Sequence, residues 1–141
     1  MNSNQKIYVI IPAINEEQSI RKVLADIPKI VNEVIVVDNG SQDNTPKAAA
    51  QNGAVVLNEK ERGYGAACLK GLEYLFNKKI NDNDIIVFLD GDYSDYPQEL
   101  TNIITPIIDE NFEMVIGSRI LGKRLGKTTQ GALLPQAVFG N

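Results

Sequence analysis

The tripeptide Asp90-Gly91-Asp92 stands directly after the apolar run Ile85 to Leu89. Side chains of an extended chain repeat every second residue, so both carboxylates can point the same way, and Gly91 lets a ligand approach the backbone closely. Two hard oxygen ligands suit Mg2+ or Mn2+, ions that complete their coordination with substrate phosphates and water. A cation held there neutralises charge building on a diphosphate leaving group. Taken alone, the tripeptide reads equally well as an acidic turn with an Asp helix cap. Composition narrows the chemistry. There is no histidine, which removes His-based triads, His general bases and His-ligated zinc. The single Cys68 removes disulfide frameworks and thiolate metal clusters.

Polar residues also close the other apolar runs: Pro12 with Asn15 and Glu16, then Asp38, then Glu59 with Arg62 and Gly63, and finally Ser118 with Arg119. Each has an ordinary structural reading by itself. Asn15 is a helix cap, Asp38-Asn39-Gly40-Ser41 is turn chemistry, and Arg119 is a solvated loop cation. Together they carry more weight, because an open parallel sheet binds ligands outside the carboxyl ends of its strands, where loops and helix amino-termini converge. Two phosphate-loop mimics fail on spacing. Gly126-Lys127-Thr128 has Leu121 at the earlier glycine position of a Walker A loop, and Gly63-Tyr64-Gly65 has Cys68 where a dinucleotide fingerprint needs its third glycine.

The elements that must position these residues alternate along the chain. Strands are expected at Ile7 to Ile11, Val34 to Val37, Ala54 to Leu57, Ile85 to Leu89 and Met114 to Ile116. Between them lie helical patterns. The first is capped by Asn15 and buries Ile20, Val23, Leu24 and Ile27; the second has Thr45 as cap and Pro46 in its first turn. The third carries Cys68, Leu69, Leu72, Leu75 and Phe76 at core spacing, and the fourth starts at Pro97, buries Leu100, Ile103 and Ile104, and is disturbed by Pro106. The expected fold class is therefore α/β, a Rossmann-like, mostly parallel sheet with helices on both faces. At 141 residues, with 43% hydrophobic and 23% charged residues, one domain with one core is expected, and disorder is excluded. The net charge of −4 argues against a nucleic-acid partner. No apolar run approaches the length of a bilayer span, so we expect no signal peptide or anchor within these residues and a reducing, cytoplasmic setting. Gly131 to Asn141 carries Leu133, Leu134, Val138 and Phe139, too apolar for a frayed end, and we expect a piece of a longer protein.

Five ordered segments, Val9 to Glu17, Val36 to Thr45, Gly63 to Ala67, Asp90 to Asp92 and Val115 to Arg119, resemble those of family 2 glycosyltransferases of the GT-A fold. Within that family the chain is most similar to the polyprenyl-phosphate (dolichyl-phosphate type) sugar transferases. The resemblance spans the whole chain, read as a single GT-A-type catalytic domain over residues 1–141 that lacks its C-terminal acceptor-side segment. It implies a nucleotide-sugar donor of the UDP-glucose or GDP-mannose type. Pro12, Asn15, Glu16, Arg62, Gly63 and Asp90 would line the donor, and Asp38 would hydrogen-bond the base. Asp90 and Asp92 match the D-x-D element and would hold Mg2+ or Mn2+, and Arg119 would face a donor or acceptor phosphate. Asp90, Asp92 and Arg119 are the implied catalytic residues. Two departures bear on the donor: Asn39 stands where an Asp is usual and touches on the base contacts, and Tyr64 replaces a frequent Lys, removing a charge. Gly131 to Pro135 and Phe139 to Asn141 resemble the start of the segment that continues into the acceptor-side helices.

The implied reaction is transfer to a polyprenyl or dolichyl phosphate at the membrane surface, with inversion. Lys123, Arg124 and Lys127 are candidates to meet a lipid phosphate or an anionic bilayer, and read equally well as an exposed loop. Transfer to a saccharide hydroxyl in cell-envelope polysaccharide synthesis is the alternative, and it requires a carboxylate base. Sugar-nucleotide pyrophosphorylases share a similar sheet but open with a Gly-rich loop where this chain has Pro12-Ala13-Ile14-Asn15. A receiver-like signalling domain is the reading from another class, although it wants an acidic pair after the first strand and a phospho-accepting Asp after the third, whereas here the acidic elements follow the second and fourth. The oligomeric state is undecided, and a homo-oligomer is left open.

Overall fold

A computed structural model of the chain describes residues 5–94, 96–110, 114–115 and 137–140. Its elements run β1 (Ile7–Ala13), α1 (Glu17–Asp26), β2 (Glu33–Asp38), α2 (Thr45–Gln51), β3 (Val55–Asn58), α3 (Tyr64–Asn77), β4 (Ile85–Phe88), α4 (Leu100–Glu110), β5 (Met114–Val115) and β6 (Ala137–Gly140), with a short 3-10 turn at Pro97–Glu99 before α4. The strand order is β3-β2-β1-β4-β6-β5, and the first four are mutually parallel. This is the expected Rossmann-like α/β sheet.

Alternation along β1 divides the interior between two faces. Ile7, Val9 and Ile11 pack with Ile20 and Val23 of α1, Ala48 and Ala49 of α2, and Leu100, Ile103 and Ile104 of α4. Tyr8 and Ile10 face the other way, against Ala67 and Leu75 of α3. Covered on both sides, β1 and β4 need no polar alternation. The amino ends of the strands are tied by side chains: Asn32 Oδ1 accepts the Ile7 N–H at 2.8 Å, and the buried Asp84 accepts the N–H groups of Lys6 and Asn81, each at 2.9 Å. Their carboxyl ends are left to the loops that carry the candidate chemistry.

The structure corrects several expectations. β1 continues through Pro12 to Ala13, because the Ile10 carbonyl takes the Leu89 N–H while the Ala13 carbonyl takes that of Asn39. Pro12 thus faces the β4 side beyond the last paired residues, Ile10 and Phe88, where no ladder donor is required. Asn15 does not cap α1; it adopts a left-handed backbone with φ 53°, and Glu16 takes the cap position. Thr45 lies inside α2, with Asn44 before it. On α3, Leu69 is 67% and Phe76 62% exposed, and the inward face is Ala67, Gly71 and Leu75. Gly71 explains the rotation: a Cβ there would stand 2.7 Å from Ile10 Cγ2, so the helix turns its least bulky side to the sheet. α4 runs past Pro106 to Glu110. A strand not expected from the sequence, β6, holds Phe139 and Gly140 and pairs antiparallel with β4 on one side and β5 on the other.

Candidate functional site

At the carboxyl rim, Pro12, Ala13, Ile14 and Glu16 from the end of β1, Asn39 after β2, Tyr64 opening α3, and Asp90, Gly91 and Asp92 after β4 line one cleft of about 270 Å³. The two carboxylates expected to share a ligand therefore do share a cavity. Gly91 sits between them against the end of β1, where a Cβ would lie 3.3 Å from Ile11 Cγ2 and 3.4 Å from the Ala13 Cβ. The turn is held from both flanks. The Ser19 hydroxyl of α1 lies 2.8 Å from the Gly91 carbonyl and 3.0 Å from Glu16 Oε2. Beyond Asp92, Tyr93 adopts φ 61°, its hydroxyl donates to Asp26, and the Lys22 ammonium lies 4.5 Å over its ring. Ser94 joins the carboxylates, donating its N–H to Asp92 Oδ1 at 2.9 Å and its hydroxyl to Asp90 Oδ2 at 3.4 Å.

The cleft is electrostatically acidic. Burial pushes the Glu16 carboxyl up, and repulsion from Asp92, Asp43 and Asp90 adds to it, against a hydrogen bond from Ser19. Such a field favours an incoming cation. No group of three or more His, Cys, Asp or Glu side chains forms a metal-holding cluster among the described residues. Asp90 and Asp92 by themselves would suit a hard cation that takes its remaining ligands from phosphate and water.

Asp38 ends β2 with its side chain 6% exposed. Its Oδ2 accepts the Ser41 N–H at 3.3 Å, while Oδ1 has no hydrogen-bond partner among the described residues. A buried, unsatisfied carboxylate oxygen is costly in a folded protein, and a ligand N–H or O–H would remove that cost.

Asn15 binds the neighbouring loop instead of lining the cleft: its N–H donates to Ser41 Oγ and its Oδ1 accepts from Gln42, both at 2.8 Å. Thr45 continues this stitching by accepting the Glu16 N–H at 2.8 Å and donating to Asp43, a carboxylate that the Thr45 bond holds below its ordinary range. Arg62 is exposed, with its guanidinium against Gly40, and Gly63 caps α3 at φ 126°. Neither is among the residues lining the cleft. Arg119, Lys123, Arg124 and Lys127 lie outside the described residues. Sequence reasoning missed Ser19, whose hydroxyl reaches the Gly91 carbonyl across loops distant in sequence, and it read Thr45 only as a helix cap, whereas the Thr45 hydroxyl also accepts the Glu16 N–H.

An α/β sheet with an acid pair beside an open cleft at the carboxyl ends of its parallel strands places the cleft where open sheets of this class bind ligands. The sequence model of glycosyl transferase family 2 matches residues 8–134, and the chain belongs to that family. This membership sets aside the receiver-like and pyrophosphorylase readings. The chain is 32% identical over 137 residues to the UDP-N-acetylglucosamine--dolichyl-phosphate N-acetylglucosaminyltransferase of Methanococcus voltae, covering 84% of this chain and 53% of that protein. It is 36% identical over 115 residues to the dolichyl-phosphate hexose transferase of Haloferax volcanii, covering 79% and 47%. The chain spans about half the length of the curated relatives it matches. Among solved structures, glucosyl-3-phosphoglycerate synthase of Mycobacterium tuberculosis superposes with a TM-score of 0.71 at 25% identity, over 96% of this chain and 57% of that one. Further structures of that enzyme hold Mn2+ with UDP-glucose and phosphoglyceric acid, or Mg2+ with UDP.

Proposed function

We propose that this chain is the donor-binding part of an inverting, metal-assisted hexosyltransferase that moves a sugar from a UDP- or GDP-linked donor to a polyprenyl or dolichyl phosphate. The observation that carries the reading is that Asp90 and Asp92 line the same cleft as Pro12, Glu16 and Asn39. Asp38, next to the cleft-lining Asn39, supports it with a buried carboxylate oxygen that has no hydrogen-bond partner among the described residues. The names of the archaeal relatives support a lipid-phosphate acceptor, and the nucleotide and metal complexes of the structural neighbour support the donor.

In this reading Asp38 and Pro12 hold the nucleotide, while Asp90 and Asp92 hold Mg2+ or Mn2+ against the diphosphate. The cation, when bound, supplies positive charge at the leaving group. The acceptor oxygen forms a bond to the anomeric carbon from the face opposite the nucleotide, and the bond from that carbon to the diphosphate oxygen breaks with its electron pair. A lipid phosphate monoester, with a second pKa near ~6, is already largely anionic and needs little from a general base. A chain without histidine suits that acceptor. Arg119 is assigned to a donor or acceptor phosphate.

Calorimetric titration with UDP and with GDP, each with and without Mn2+, tests the donor site. Binding should require Mn2+ and fall at least tenfold in Asp92→Ala, about 1.4 kcal/mol or more. Equal binding by wild type and variant would remove the metal assignment. The acceptor is tested with the complete protein, a radiolabelled donor and polyprenyl phosphate; label appearing only on saccharide hydroxyls would favour the polysaccharide alternative.

A further inference from the structure

Asn39 is 7% exposed, and its carboxamide is engaged by one stretch of backbone. Nδ2 donates to the carbonyls of Glu59 at 2.9 Å and Glu61 at 2.8 Å, and Oδ1 accepts the Gly63 N–H at 2.9 Å. The Glu59 N–H in turn donates to the Asp38 carbonyl at 2.9 Å. Residues 59–63 are thereby strapped across the end of β2.

The strap carries Arg62. Its guanidinium lies so close to Gly40 that a Cβ there would stand 3.3 Å from Nε, and Gly40 already needs a left-handed φ of 95°. The guanidinium is thus held against Gly40, two residues after Asp38 in the loop that follows β2. Both amide hydrogens of Asn39 are taken by carbonyls, so it has no donor left for a ligand. An ionised aspartate accepts only, and would set a negative charge against two carbonyl oxygens.

We propose that Asn39 is a positioning residue for the donor nucleotide: it borders the cleft, but its carboxamide is spent on fixing the strap, and with it the Arg62 guanidinium against Gly40, and it sets nucleoside diphosphate affinity through that strap. This rests on the donor reading given above. The strap here requires a two-hydrogen donor, and a planar guanidinium kept in place is suited to a phosphate or a base edge.

A double-mutant cycle tests it, with UDP and GDP titrated in Mn2+ against wild type, Asn39→Asp, Arg62→Ala and the double variant. Asn39→Asp should weaken binding about tenfold in the wild-type background, and should add no more than about twofold once Arg62 is gone. Where Asn39→Asp lacks a cooperative melt, Asn39→Ala gives the same cycle without a buried charge. An equal loss in both backgrounds is what a merely structural role produces, and it overturns the inference. Wild-type binding that is unchanged in Asn39→Asp overturns it alone, leaving the donor reading intact. A wild-type chain that binds neither UDP nor GDP overturns the donor reading and this inference together.

Discussion

Glu16 stands where carboxylates from other loops converge on it, and its own carboxyl is pushed up by burial and by Asp92, Asp43 and Asp90. A carboxyl whose folded pKa lies above its unfolded value contributes stability that is fully present below the unfolded value and is lost as pH rises through the folded one. Glu16→Gln should therefore melt with wild type below the ordinary glutamate range, around pH 4, and above wild type near neutrality. Thermal melts of both proteins across that range decide it, and a difference independent of pH would contradict the cause assigned. Glu16 lines the cleft as its place behind β1 suggests, while Asn15 does not cap α1 as expected. A glutamate behind an Asn at a strand end is a recognisable pattern, but Asn15 as a cap depends on a backbone angle, and φ 53° arises from its bonds to Ser41 and Gln42 in a distant loop.

Among the secondary-structure elements, α3 departs furthest from the sequence expectation. Its hydrophobic spacing pointed Leu69 and Phe76 inward, whereas the structure buries Ala67, Gly71 and Leu75 and leaves those two large side chains exposed. Periodicity identifies a helix but weighs apolar bulk over fit, and at Gly71 fit prevails. Gly71→Ala should improve intrinsic helix propensity by up to ~1 kcal/mol. It also forces a methyl to within 2.7 Å of the buried Ile10 Cγ2, which cannot swing away. Overpacking of about 1–3 kcal/mol should prevail, giving a lower denaturant midpoint. A variant as stable as wild type would show that the sheet yields there. The strands were read more reliably than α3, because runs such as Ile85 to Phe88 are buried on both faces and need only be apolar.

At the scale of the whole molecule, the acidic rim and the unpartnered buried oxygen of Asp38 are costs that the proposed ligand would relieve. A nucleoside diphosphate with Mn2+ at a hundred times its dissociation constant should add about 2.7 kcal/mol, raising the melting temperature by roughly 5–10 °C for a domain of this size. A chelator should abolish the shift. A shift that survives chelation would mean that the nucleotide binds without help from Asp90 and Asp92. Residue types and spacing were enough to establish a parallel α/β sheet and to bring Pro12, Glu16, Asp90 and Asp92 to one rim, since strand periodicity and right-handed crossovers place all strand ends on the same side. Folding alone settled the rest. Asn39 became a brace, Asn15 and Thr45 became stitches between loops, Gly71 set the rotation of α3, and β6 took its place between β4 and β5. Each depends on backbone groups distant in sequence meeting at hydrogen-bond or van der Waals distance, and a linear pattern does not encode such encounters.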